Sequence, residues 1–237
     1  MALHAERPRM SRRTKTMAFL SGGLVLGLGV TATLAAWTDS EWVFGGGNGS
    51  GPGLGTSTFE VEQNVVAPFA GTGFTQSETN PGQDLTFSPG ALALIPGNTV
   101  YAPVALRTVA GSVAGTLLLQ DSEPAAGTAN AAVDANNLLL NALTLRVATS
   151  ATSATCDATT FATAANVIAT GPLATAEPTA AQVQALAANS TSVQYYCFEI
   201  TLPTAPTLPT GTTVDALQGR AVTPAWEFVG TSVASVN

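Results

Sequence analysis

The sequence is short of charge, and shorter still of positive charge. Only 10% of its 237 residues are charged, with eight basic residues against fifteen acidic ones. Its single histidine is His4 and its single lysine is Lys15, so the body of the chain has neither. That removes whole classes of chemistry. Ser-His-Asp and Cys-His arrangements need an imidazole, and zinc sites need histidine or more than two cysteines. Schiff-base catalysis and phosphate-binding loops of the G-x-x-x-x-G-K-[ST] type need a lysine. No cofactor is expected. After residue 16 the only cations are Arg107, Arg146 and Arg220. Phosphate backbones and anionic lipid surfaces repel such a chain, which argues against nucleic acid and membrane-surface partners.

What is present begins with an export signal. MSRRTKT (10–16) is basic, and AFLSGGLVLGLGVTATLAAW (18–37) carries no charge. A basic segment, an apolar run and small residues at its end make a secretory signal. The run is also long enough to span a bilayer, so an uncleaved anchor is the competing reading, and it would be the chain's one membrane contact. Gly22, Gly23, Gly27 and Gly29 weaken it as a stable helix. Cleavage is expected after Ala36, freeing Trp37, with Ala35 as the alternative. Met10 is an alternative start. Cleavage leaves 201 residues with three arginines against fourteen acids, a net charge of −11.

The mature chain opens with WTDSEWVF, then GGGNGSGPGLG (45–55), a flexible linker by composition. Its glycines lack the flanking strand and helix of a dinucleotide site. The remainder, 56–237, reads as one β domain. Phe59 and Val61 alternate with Glu60 and Glu62. Val100, Val104 and Leu106 lie opposite Tyr101 and Arg107. Leu143, Leu145 and Val147 lie opposite Thr144, Arg146 and Ala148. Tyr196, Phe198, Ile200 and Leu202 lie opposite Tyr195, Cys197, Glu199 and Thr201. Trp226 and Phe228 lie opposite Glu227. Period-two alternation means strands with one buried face. Residues 112–121 make a further strand of weaker alternation. Turn signals (NPGQD, SPG, IPGN, SEPAAG, ATGP, LPTG) recur at close intervals. The expected fold class is all-β: an antiparallel, jelly-roll-like β-sandwich with one or two short helices, at 134–143 and 178–190. Pro224 inside the last strand predicts an edge or a bulge.

Cys156 and Cys197 are the only cysteines. In an exported chain a lone pair reads as one disulfide, here pinning a Thr/Ala-rich connection across the outer face of a strand. Glu60 and Glu62 share a strand face, the arrangement a carboxylate hydrolase would need, but solvent-facing acids on an antiparallel strand look the same. Asp39 and Glu41 offer oxygen ligands for a cation, yet no D-x-[DN]-x-[DN]-G loop accompanies them. No metal site and no enzymatic activity are expected.

The stretch AAWTDSEW, following a basic segment and a Gly-rich apolar run, resembles the exported proteins cut by the SipW-type signal peptidase, among them the TasA/camelysin biofilm-fibre family. The motif is Trp37, Asp39 and Glu41 just after the small residues. IPGNTVYAPVALRTVAGSVAGTLLL, YYCFEITLP and PAWEFVGTS are similar to an actinobacterial branch of these proteins. The resemblance implies a jelly-roll-like sandwich and a freed N-terminal segment that adds as a strand to the next subunit, with Trp37, Trp42, Val43 and Phe44 as anchors. The expected partners are therefore a second copy in a head-to-tail polymer, or other matrix proteins, besides the signal peptidase. The expected location is extracellular or at the cell surface. The alternative is a monomeric surface sandwich that binds carbohydrate or another ligand on aromatics such as Tyr101, Tyr195 or Trp226.

Overall fold

The computed structural model describes residues 56–127 and 133–233, all in the unit that runs from Thr56 to Asn237. The strands, in chain order, are β1 (Val61–Asn64), β2 (Thr99–Thr108), β3 (Gly115–Pro124), β4 (Thr144–Ser150), β5 (Val167–Pro172), β6 (Gln184–Leu186), β7 (Gln194–Thr201) and β8 (Pro224–Ser232). One short α-helix, α1 (Leu138–Ala142), precedes β4. The strands form two antiparallel sheets, a five-stranded one in the order β1-β2-β7-β4-β5 and a three-stranded one in the order β6-β3-β8. Among these residues no helix is long and apolar enough to cross a membrane.

The period-two faces decide how the sheets stack. Val100, Val104, Leu106, Leu145, Val147, Tyr196, Phe198 and Ile200 point from the larger sheet into one core, where they meet Leu117, Leu119 and Leu186 of the smaller. Trp226 and Phe228 pack on the same core, Trp226 tilted on Phe198 at 4.7 Å and Phe228 edge-on to Tyr196 at 4.8 Å between ring centroids. Each such side chain contributes roughly 1.5–3 kcal/mol on burial. This is a β-sandwich.

Two local expectations need correction. Residues 178–190 do not form a helix. A capping box between Thr179 and Gln182 closes a single 3-10 turn, and the chain then extends into β6, paired with Gly115–Leu117 of β3. Sheet pairing outweighs the helix propensity of Ala, Gln and Leu there, because tertiary pairing satisfies backbone groups that an isolated short helix leaves to water. ATGP is not a turn; it is the second half of β5, which continues the sheet beside β4. The expected short helix at 134–143 is present as α1. Pro224 opens edge strand β8, whose register against β3 shifts between Leu119 and Ser122.

The phenol of Tyr196 is buried with no hydrogen-bond partner, and burial pushes its pKa far above the ordinary tyrosine value. A buried unsatisfied hydroxyl costs free energy, so Tyr196→Phe is expected to leave stability unchanged or raise it by up to about 1 kcal/mol in urea unfolding. A loss above about 1 kcal/mol would show that the hydroxyl has a partner in solution.

Candidate functional site

A five-stranded sheet facing a three-stranded one leaves part of its inner face without a strand above it. That deficit falls between β1 and β8, each an edge strand of its sheet. The result is a groove of about 850 Å³. Its floor is aliphatic and buried: Val65, Val100, Val104, Leu106 and Ile200. Trp226 and Phe228 of β8 form one wall, half-buried, and Leu85, Phe87 and Leu94 form the other. The indole Nε1–H of Trp226 is buried and has no acceptor.

The ends of the groove are fixed by specific contacts. At one end Phe59 lies over the backbone of β3 and β8. A side chain at Gly115 would collide with its ring, and one at Gly230 would fall 3.0 Å from it. At Gly115 only glycine permits that approach. At the other end the segment from Thr75 to Asp84 crosses over. Thr75 pairs with Gln63 of β1 through two backbone bonds of 2.9 Å. The Asn80 amide donates to Pro124 O at 3.2 Å and accepts from Ala126 N at 2.6 Å. Gln83 donates to the Thr75 hydroxyl.

The electrostatics are one-sided. Each arginine of the described unit is already paired: Arg107 with Glu62 at 2.6 Å, Arg146 with Glu199 at 3.1 Å, Arg220 with Asp134 at 2.9 Å. Twelve acidic residues lie from Glu60 onward, so nine carboxylates have no arginine of the unit left to pair with. Glu78, Asp84, Glu123 and Glu227 stand exposed around the groove mouth.

The expected site residues fall in different places. Glu60 and Glu62 lie on the outer face. Glu62 is held by Arg107, whose guanidinium covers the Phe74 ring at 4.0 Å, and Glu60 accepts from Gln76 at 3.2 Å. Tyr101 and Tyr195 are on that outer face too, tilted against Phe161 and Phe69, whereas Trp226 faces the groove. The three aromatics therefore share no platform. Burial first, and the Glu199 carboxylate second, push the Tyr101 phenol above its ordinary value. Cys156 and Cys197 are joined, with Cα atoms 5.2 Å apart, on the outer face of β7. Among the described residues no three His, Cys, Asp or Glu side chains gather as a metal site. The expected signal segment, the expected cleavage point at Ala35, Ala36 and Trp37, the Trp37/Asp39/Glu41 motif, the expected anchors Trp42, Val43 and Phe44, and the linker 45–55 lie outside the described residues.

The groove has no signature in local sequence, because its walls come from segments distant in the chain. Segment 85–94 reads as turn signals, yet its apolar side chains complete one wall. No protein-family model, curated protein or solved structure matches the chain.

Proposed function

We propose that this chain is a secreted or cell-surface structural protein, a jelly-roll-like subunit of an extracellular fibre or matrix that assembles when residues 37–44 of one copy add as a strand to the next. The observation that carries this reading is the apolar groove beside an unpaired strand edge, in a chain whose expected mature N-terminus is an apolar-aromatic segment on a flexible tether. Main-chain bonds give strand addition its affinity and apolar side chains fill the neighbour's groove. The eleven linker residues 45–55 reach at most ~36–40 Å when extended. Head-to-tail donation is an open, heterologous contact, as a filament needs. A disulfide accords with an oxidising compartment outside the cytosol.

The test is to purify the chain from Trp37 and follow it by light scattering and negative-stain electron microscopy. Filaments that grow with protein concentration are expected, and deletion of 37–44 is expected to leave a folded protein that forms none. Filaments of unchanged length from the deletion would overturn the proposal. The groove volume, within the usual range for small-molecule sites of about 300–1,000 Å³, favours a second reading, a monomeric ligand-binding sandwich. A stable monomer that binds an apolar probe in competition with a 37–44 peptide would support it.

A further inference from the structure

The register of the smaller sheet shows which edge is open. Val233 N donates to Ala114 O and Ala125 N to Thr223 O, which makes the odd-numbered residues of β8 the hydrogen-bonded partners of β3. The even-numbered residues Trp226, Phe228, Gly230 and Ser232 therefore turn their backbone N–H and C=O groups away from β3, toward the free edge. No hydrogen bond joins the edge groups of these four residues to any described residue. The same even residues point their side chains to the inner face, where Trp226 and Phe228 line the groove. The corresponding edge of β1 is less available, since Gln63 is already bonded to Thr75.

Alternation then constrains what a strand on that edge can be. Any residue bonded directly opposite Phe228 shares its face and enters the groove. In TDSEWVF the odd positions place Asp39 and Glu41 on one face, and the even positions place Thr38, Ser40, Trp42 and Phe44 on the other. Burying two unpaired carboxylates in an aliphatic groove costs several kcal/mol each, whereas the even face is uncharged and carries two large aromatics. Its hydroxyls also offer acceptors to the orphan indole of Trp226.

We infer that the free edge of β8 accepts residues 38–44 of a second copy, with Thr38, Ser40, Trp42 and Phe44 in the groove and Asp39, Glu41 and Val43 outside. This rests on the strand-donation reading above and narrows the four expected anchors to two, Trp42 and Phe44.

Amide hydrogen exchange on the chain from Trp37 tests it. Relative to a variant lacking 37–44, the Phe228 and Gly230 amides are expected to exchange at least ~10-fold more slowly. Trp42→Asp/Phe44→Asp removes that protection, while Trp37→Asp/Val43→Asp keeps it within about twofold. Unchanged protection at Phe198 in β7 certifies the fold of each variant. Protection absent from the parent, surviving the first pair or lost with the second overturns the assignment. Filaments without protection at β8 would overturn this inference and leave the fibre reading standing. Protection in a chain that stays monomeric would overturn the fibre reading and confine the edge assignment to docking within one copy.

Discussion

Replacing both Cys156 and Cys197 with alanine is expected to lower the unfolding free energy by about 4 kcal/mol. The two cysteines are 41 residues apart in sequence, and the chain-entropy relation for a closed loop of that size gives this value at 25 °C. The bond holds the connection between β4 and β5 against the outer face of the larger sheet, where Cys197 packs with Ala148 and Phe161. Other ties on that connection are weaker. Arg146 donates to Phe161 O at 3.2 Å and lies over its ring at 4.7 Å, and Asp157 caps the 3-10 turn Ala158–Ala162 through Thr159 N at 2.8 Å. Alanine is the better probe than serine, because Cys197 is buried and a serine hydroxyl there would need a partner. Urea titration with the m-value checked is the measurement. A loss under about 1 kcal/mol would mean that Phe161 and Arg146 anchor the connection without the bond.

How far the sequence foretold this structure depends on the range of the interactions involved. Alternation is a local property, and every face assigned from it, from Val61 through Phe228, agrees with the stacking of the two sheets. The disulfide followed from a count of two cysteines and an expected export route. β5 and β6 escaped because each is short and depends on a neighbour. Val167–Pro172 holds only Val167 and Ile168 as β-branched apolar residues before ATGP, and Gln184–Leu186 becomes a strand by pairing with β3. The groove was least legible, since no single segment contains it. It follows from the unequal widths of the sheets, and strand count per sheet is a topological fact that periodicity does not carry. The ion pairs divide the same way. Arg107–Glu62 and Arg146–Glu199 join cross-strand neighbours on faces already recognised as polar, while Arg220–Asp134 bridges 86 positions and two irregular connections.

That last pair supports the second large prediction. Asp134 is 2% exposed, and its carboxylate accepts from Leu139 N at 2.8 Å, Leu140 N at 2.9 Å and Arg220 Nη1 at 2.9 Å. It joins the amides at the start of α1 to the turn that leads into β8. Arg220 adds bonds to Ala135 O at 2.8 Å and Ala216 O at 2.6 Å. Asp134→Ala strands two amides and removes the counter-charge from a guanidinium whose side chain is 21% exposed. Breaking a buried pair costs about 3–5 kcal/mol, and the arginine's partial access to water sets the expectation at the lower end, about 3 kcal/mol. Asp134→Asn keeps an acceptor for one or two amides without balancing the charge, so its cost should fall between wild type and alanine. A double-mutant cycle with Arg220→Ala should show a coupling above about 1 kcal/mol; additivity within about 0.5 kcal/mol would mean that the two side chains act independently. The consequence extends to the groove. Arg220 lies two residues before Val222 and six before Trp226, both groove-lining, so loosening its turn releases the start of the edge strand. If the β8 edge accepts the incoming strand, Asp134→Ala should weaken docking by more than its loss of global stability explains, measured where more than nine-tenths of the chain is still folded. Docking that tracks the folded fraction alone would show that the pair stabilises the sandwich without positioning its edge.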